Sequence, residues 1–223
     1  MNRRRIPWID PAEVVAGVRL LRALPSFLRH PVDTNEAQGI VRRRLARREG
    51  DFLELAARQV YGNPASPYRP LLARAGCEYG DLAKLVAADG VEGALHALFR
   101  AGVYVTVEEF KGRRALVRGN TVIPWEPERL VNAGSVVHVV ATSGGSRSPG
   151  TPVPIDLAST REHAVNRRLS LEARGGLGWR HAVWGVPGAS ELVIVFRFAV
   201  CGATPVHWFS QLDPNTARLH TRY

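Results

Sequence analysis

One stretch of the sequence decides the expected fold: Val136-Val-His-Val-Val140, then Thr142-Ser-Gly-Gly-Ser-Arg-Ser-Pro-Gly-Thr-Pro152, then Val153-Pro-Ile155. The β-branched runs at its two ends predict strands. The Gly/Ser/Thr loop between them offers unhindered backbone N–H groups and hydroxyls, which suit an anion such as a nucleotide phosphate. A plain, turn-rich connection between strands is the alternative interpretation of the same residues.

Three well-known nucleotide or nucleophile motifs do not fit this loop. A Walker-type loop is excluded because neither Lys84 nor Lys111 stands in the pattern Gly-x-x-x-x-Gly-Lys-[Ser/Thr]. Gly144, Gly145 and Gly150 do not keep the spacing of the dinucleotide-binding fingerprint. A nucleophile elbow, Gly-x-Ser-x-Gly, is also missing because no glycine closes the pattern.

Beyond the loop, the pattern predicts an alternation of helices and strands. Ser159-x-x-Glu162 resembles a capping box and predicts a helix as far as about Ala173. His181–Gly185 has the composition of a buried strand. Ser190–Val200 is compatible with a strand or a buried helix, and a helix is preferred because Thr204–Phe209 then supplies the next strand of a βαβ unit.

The chain before the loop is predicted to be mainly helical. Ala12–Leu24 follows an Asp-Pro start signal, and Asp33–Arg48 opens with a capping pattern. Gly50 is expected to break this second helix before it resumes over Phe52–Val60. Short helices are predicted at Tyr68–Ala75, Gly80–Ala88 and Val91–Ala101. They are followed by an extended segment at Gly102–Val107, a helical turn at Glu108–Gly112 and a hairpin over Leu116–Ile123. We therefore predict a helical N-terminal region, residues 1–62, followed by an incomplete α/β domain, residues 63–223.

Composition indicates a globular, cytoplasmic protein. Of 223 residues, 45% are hydrophobic and 22% charged, and no apolar stretch is long enough to cross a membrane. The net charge of +10 is typical of a protein with a nucleic-acid partner, but all cations except Lys84 and Lys111 are arginines scattered along the chain. That scatter argues against a nucleic-acid-binding module. Cys77 and Cys201 stand in no metal-binding pattern, so no metal site is predicted.

Four aromatic residues near the predicted βαβ strands are candidates for a ligand pocket. His181 and Trp184 belong to the first of these strands, and His207 and Trp208 to the second. Ligands of open α/β sheets bind beyond the carboxyl ends of the strands, so these side chains are candidates to line an acyl or nucleotide pocket. Packing in the core is the alternative.

The Gly/Ser loop resembles the phosphate loop of adenylate-forming enzymes, whose usual form is Ser-Ser-Gly-Thr-Thr-Gly-x-Pro. The front half matches at Thr142-Ser-Gly and Ser146, and the back half at Gly150 and Pro152, with Arg147-Ser-Pro149 as an insertion. The resemblance implies that nucleotide phosphates are held by Thr142, Ser143, Gly144, Gly145, Ser146, Arg147, Gly150 and Thr151. It does not identify a catalytic residue.

One branch of that superfamily is similar over about residues 60–210: the phenylacetate–CoA ligases and acyl-protein synthetases. Ser66-Pro-Tyr-Arg-Pro-Leu-Leu72 looks like their early Ser-x-Tyr-x-x-x-Leu segment, and Gly80-Asp-Leu82 like a following helical segment. Val105–Lys111 is similar to an extended segment that precedes a lysine and acidic residues in these enzymes. Ile155-Asp156 is similar to the strand and the aspartate that open the next helix.

The resemblance implies an α/β fold and ATP-dependent carboxylate activation with Mg²⁺, in which an acyl-adenylate forms and passes to CoA or a protein thiol. The family's later acidic motifs and its C-terminal lysine have no counterpart, since no lysine follows Lys111. The expected protein is therefore a partial or split enzyme that works with a second chain. A non-catalytic scaffold that keeps the fold is the alternative, and a basic nucleic-acid-binding module comes third.

Overall fold

The computed structural model describes residues 11–124, 135–142, 152–186 and 188–211. The protein is mixed α/β and mostly helical, with small sheets. It forms two compact units: the first contains the described residues of Met1–Arg42 and Ser135–Tyr223, and the second those of Arg43–Gly134. The sequence-predicted boundary between residues 62 and 63 falls inside the second unit.

The described residues form eight α-helices and six strands. The helices are α1 Pro11–Arg29, α2 Thr34–Ala46, α3 Arg48–Leu55, α4 Arg69–Arg74, α5 Tyr79–Arg100, α6 Val107–Phe110, α7 Leu157–Glu172 and α8 Ala189–Val200. The strands are β1 Leu116–Arg118, β2 Thr121–Ile123, β3 Val139–Thr142, β4 Pro152–Ile155, β5 Ala182–Trp184 and β6 His207–Phe209. A π-helical stretch follows α3 at Ala56–Tyr61, and a short 3₁₀ turn precedes β5 at Gly176–Gly178.

The strands pair in twos. β1 and β2 are antiparallel, as are β3 and β4, whereas β5 and β6 are parallel and are joined by α8. The predicted βαβ alternation, including the helical form of residues 189–200, is therefore confirmed. Within the described ranges the three pairs remain separate, so the predicted sheet is represented by small pairs and not by one continuous sheet.

The first unit has its core where α2, α7 and the end of α8 meet. Val32, Ala164, Val165 and Val200 are fully buried there, and the Val32 N–H donates to the Val200 carbonyl oxygen at 2.7 Å. That bond ties the segment before α2 to the end of α8. The small side chains of α7 let the helices approach closely, so the βαβ unit rests on a packed helical layer.

The second unit is organised by α5, which bends at one residue. Gly90 has φ 68° and interrupts the helix, and the helical segments before and after it correspond to the predicted pair Gly80–Ala88 and Val91–Ala101. Glycine adopts this left-handed backbone conformation without the steric cost that other residues meet. Leu82, Val86 and Ala94 bury their side chains against α4 and the π-helical stretch.

One predicted feature of the helical region is wrong. Gly50 does not break a helix: it lies inside α3, and the break falls at Arg47, between α2 and α3. The stretch predicted to be extended, Gly102–Val107, forms no strand, and its residue Thr106 has extended backbone angles before α6 begins at Val107. In addition, α1 continues past the predicted end at Leu24, through Pro25, to Arg29. Local propensity misplaced these boundaries because packing against distant segments overrides it.

Two boundaries of the first unit also differ from prediction. β3 begins at Val139 and not at Val136. α7 begins at Leu157 with Asp156 as its N-cap, three residues before the start expected from a cap at Ser159. The Asp156 side chain accepts the Ser159 N–H, so Ser159 is the residue that is capped and not the cap.

None of the described helices combines the length and the apolar character that crossing a membrane requires.

Candidate functional site

The frame of the predicted phosphate loop is an antiparallel hairpin. β3 pairs with β4 in a register that runs from Val139 opposite Ile155 to Thr142 opposite Pro152. The last pair of the ladder therefore brackets the predicted loop on both sides. Thr142 ends β3, while the remaining candidates lie outside the described residues: Ser143, Gly144, Gly145, Ser146, Arg147, Gly150 and Thr151.

The base of this hairpin is held by side chains as well as by the ladder. The Ser135 hydroxyl donates to the Asp156 carboxylate at 2.5 Å. The His138 N–H donates to the Ile155 carbonyl oxygen at 3.0 Å, and the Leu157 N–H donates to His138 Nδ1 at 3.3 Å. These bonds fix the angle between the hairpin and α7, so the hairpin is a defined frame.

Asp156 is fully engaged by this arrangement. One carboxylate oxygen accepts the Ser159 N–H and the other accepts the Ser135 hydroxyl. A carboxylate at the first turn of a helix also interacts favourably with the helix dipole. Asp156 is thus a structural cap that joins β4 to α7, and not a free ligand.

The N-terminus of α7 lies at the opposite end of β4 from the loop. β4 has four residues, which at about 3.3 Å each separate the two by about 13 Å. An anion in the loop would therefore not be held by the α7 dipole, which acts within the first helical turn.

Helices support the hairpin from behind. Both α1 and α8 pack against β3. Ala141 is buried, whereas Val140 is exposed, as the alternation of a strand with one covered face requires. The strand that leads into the loop is therefore anchored, and preorganisation of this kind lowers the entropic cost of binding a ligand.

The four aromatic candidates of the βαβ unit do not share one pocket. His181 Nε2 donates to the Gly176 carbonyl oxygen at 2.9 Å, and its ring lies 5.0 Å from that of Phe198 on α8. Trp208 Nε1 donates to the Gly185 carbonyl oxygen at 2.9 Å. These two side chains have the satisfied partners that are typical of a packing role.

Trp184 and His207 belong to the opposite face of the β5–β6 pair. Trp184 is 73% exposed, so the expected buried-type strand is wrong at this position. In the ladder Trp184 pairs with Phe209, and their ring centroids are 6.2 Å apart. Sequence reasoning did not single out Phe209, although its position two residues from His207 places both side chains on one face.

The cysteines are not candidates for catalysis in this fold. Cys201 is fully buried, burial raises the pKa of its thiol, and Sγ donates to the Phe198 carbonyl oxygen at 3.3 Å. Cys77 is buried beside Tyr61, whose hydroxyl donates to the Cys77 carbonyl oxygen at 3.1 Å. Burial raises the pKa of Tyr61 above its ordinary value, so the phenol stays protonated and is no base for the thiol.

Cys77 also borders a cavity of about 470 Å³ in the second unit, lined mostly by alanine and leucine side chains of α5 and of the segments that flank it. Lys84 and Asp81 lie at this cavity and are 3.5 Å apart. Both are exposed, and an exposed pair at this distance contributes little binding or stability. The cavity is therefore a groove between helix segments without a concentrated polar site.

A metal centre is not visible in the part of the chain that the structure describes. Within it, no three or more His, Cys, Asp or Glu side chains cluster as metal ligands.

Comparisons with protein-family models, curated proteins and solved structures found no match to this chain.

Proposed function

We propose that the protein takes part in ATP-dependent activation of a carboxylate, forming an acyl-adenylate that is passed to CoA or to a protein thiol. The observation that supports this most directly is the β3–β4 register, which brackets the Gly/Ser loop between Thr142 and Pro152. The motif of adenylate-forming enzymes that this loop resembles is likewise a loop between strands. The strands on either side of the loop are paired and packed, and a fixed frame of this kind would lower the entropic cost of binding the phosphates of ATP.

In the proposed reaction, a carboxylate oxygen attacks the α-phosphorus of ATP. The bond from that phosphorus to the bridging oxygen breaks, and pyrophosphate leaves with the electron pair. Charge then grows on the leaving phosphates, where loop N–H groups, the hydroxyls of Ser143 and Ser146, and Arg147 would stabilise it. Mg²⁺ would accompany the nucleotide and neutralise part of the same charge.

In the family that the loop resembles, later acidic motifs bind adenine, ribose and metal, and a lysine contacts the acyl-phosphate region. The sequence has no lysine after Lys111. We propose that a second chain supplies these groups and completes the site with the hairpin. A non-catalytic scaffold is the second candidate, because the polar groups at the base of the hairpin, Asp156 and His138, are engaged in structural bonds.

Thermal unfolding with and without Mg²⁺-ATP tests the nucleotide site. At a hundredfold excess over Kd, a ligand stabilises the folded state by about 2.7 kcal/mol, or about 5–10 °C for a chain of this size. Arg147→Ala should reduce the shift. Arg174→Ala, which removes an exposed arginine of α7's C-terminal end, should leave it unchanged.

Three outcomes separate the candidates. Stabilisation by ATP together with carboxylate-dependent ATP–pyrophosphate exchange in the presence of the second chain supports the enzyme. Stabilisation without exchange favours the scaffold. If ATP and AMP, with or without Mg²⁺, give no shift, nucleotide binding by this chain is refuted.

A further inference from the structure

The open face of the β5–β6 pair is the most unusual surface of the first unit. Parallel strands are normally covered on both faces. Here Val183 is buried on the side of α8, while Trp184 and Phe209 on the other side are 73% and 50% exposed. A cluster of exposed aromatic side chains of this kind marks a binding surface. We call the residues Arg180, Ala182, Trp184, His207 and Phe209 the aromatic face.

The side chains of the aromatic face form a continuous row. The Arg180 guanidinium donates to His207 Nε2 at 3.2 Å. The rings of His207 and Phe209 are 5.9 Å apart, and those of Phe209 and Trp184 are 6.2 Å apart, with interplanar angles of 40° and 37°. The rings are therefore tilted together and present a broad surface with a cation at one end.

The row is supported from behind. Val183 is 4% exposed, and Trp208 lies opposite it in the strand ladder. The Trp208 side chain donates to the Gly185 carbonyl oxygen. The Gly185 N–H in turn donates to the Phe209 carbonyl oxygen at 2.9 Å. These bonds fix the ends of the strands from which the rings project, which lowers the backbone entropy lost on binding.

The charge of this face favours an anionic ligand. Among the described residues Arg180 has no carboxylate partner; its recorded side-chain contact is with His207. In that bond His207 Nε2 accepts an N–H of Arg180, and the arginine keeps its positive charge. The whole chain carries a net charge of +10. Neutral sugars use aromatic surfaces as well but gain nothing from this cation.

We propose that the aromatic face binds single-stranded nucleic acid, with bases stacked on Trp184 and Phe209 and a phosphate on Arg180. Every base has a π-face, so aromatic stacking of this kind tolerates any sequence, and arginine adds the electrostatic contact to the backbone. Duplexes keep their bases stacked inside and would bind more weakly. The scattered arginines by themselves form no nucleic-acid site, whereas the aromatic face adds the stacking surface that single strands use.

Fluorescence anisotropy with labelled oligo(dT) and oligo(U) of about 12 nucleotides tests the proposal. Trp184→Ala and Phe209→Ala should each weaken binding about 5-fold or more, the effect of losing one stacked base. Arg180→Ala should weaken binding and reduce the dependence of log Kd on log salt by about one unit. The matched control is Trp179→Ala, since Trp179 is 60% exposed but lies outside the β5–β6 pair.

Equal thermal midpoints of the variants show that any loss of affinity is not a loss of folding. The proposal is overturned if single strands do not bind at about 50 mM salt, if all variants bind alike, or if Trp179→Ala loses as much affinity as Trp184→Ala. A different role for the face would also overturn the proposal. In that case the protein would self-associate through the face, Trp184→Ala would abolish the self-association, and oligonucleotides would not compete with it. The assay contains no ATP, so its result is independent of the nucleotide site at the hairpin.

Discussion

Two strand pairs of equal size have opposite surroundings. In the β1–β2 hairpin, Leu116 and Ile123 are buried, and even the charged Arg118 is 8% exposed. In the β5–β6 pair, Trp184 and Phe209 face outward. The comparison teaches that polarity does not decide which side chains are structural. A buried arginine with every donor satisfied holds the fold together, whereas an exposed aromatic ring is available to a ligand.

Arg118 is satisfied by residues from several segments. Its guanidinium lies 2.8 Å from the Glu109 carboxylate. It donates to the Gly102 carbonyl oxygen at 2.9 Å and also to the Tyr104 carbonyl oxygen. The guanidinium carbon lies 4.0 Å from the centre of the Tyr104 ring. Glu109 simultaneously accepts the Thr106 N–H at 2.8 Å in a capping box of α6. The pair therefore connects α6, the irregular segment before it and β1.

The largest expected effect comes from breaking this pair. Arg118→Met keeps the length of the side chain but leaves Glu109 buried without its cation, which should cost the second unit about 3–5 kcal/mol. Urea unfolding measures the loss. The control is Arg113→Met, because Arg113 pairs with Glu108 at 3.4 Å on the surface and should cost less than about 1 kcal/mol. Equal losses in the two variants would contradict the structural role of Arg118.

The next effect is a dependence on pH. The hydrogen bond from Arg118 lowers the pKa of Glu109 from its usual 4.5 to about 2, against the raising effect of burial, with Thr106 adding to the decrease. Since the folded pKa is the lower one, the stabilisation is complete above about 4.5 and is lost as pH falls toward about 2. The free energy of unfolding, measured from pH 6 to pH 2, should fall in that window.

Glu109→Gln provides the control for this pH profile. The variant should be less stable at neutral pH and should show a flatter decline between about pH 4.5 and 2, because it has no carboxylate to protonate. An equally steep decline in the variant would assign the acid sensitivity to other carboxylates.

The smallest effects distinguish the two faces of the β5–β6 pair. Trp208→Phe removes the hydrogen bond to the Gly185 carbonyl oxygen and should cost about 1 kcal/mol. Trp184→Phe alters an exposed ring and should change stability by less than about 0.5 kcal/mol. Equilibrium unfolding of both variants measures the difference. A greater loss for Trp184→Phe would show that the outer ring is a packing residue.

Local signals predicted several elements well. The helix over residues 189–200 between two strands, the glycine interruption at Gly90 and the hairpin around Gly119 are all present. In each case the decisive residues are neighbours in sequence. The start of α7 was misplaced because Ser159 and Asp156 both have capping side chains, and Ser135, 21 residues away, holds Asp156 in the cap position. Sequence alone does not place that serine.

The candidate phosphate loop was recognised entirely from its residues, and the structure adds the frame that surrounds it. The sequence by itself determined the alternation of helices and strands and the position of the loop between two strands, because periodicity and glycine act over a few residues. Only the tertiary structure decided that Arg118 is buried, that Asp156 is a cap and that Trp184 faces outward. Those outcomes depend on carbonyl groups, carboxylates and helices distant in the chain, whose approach no local pattern encodes.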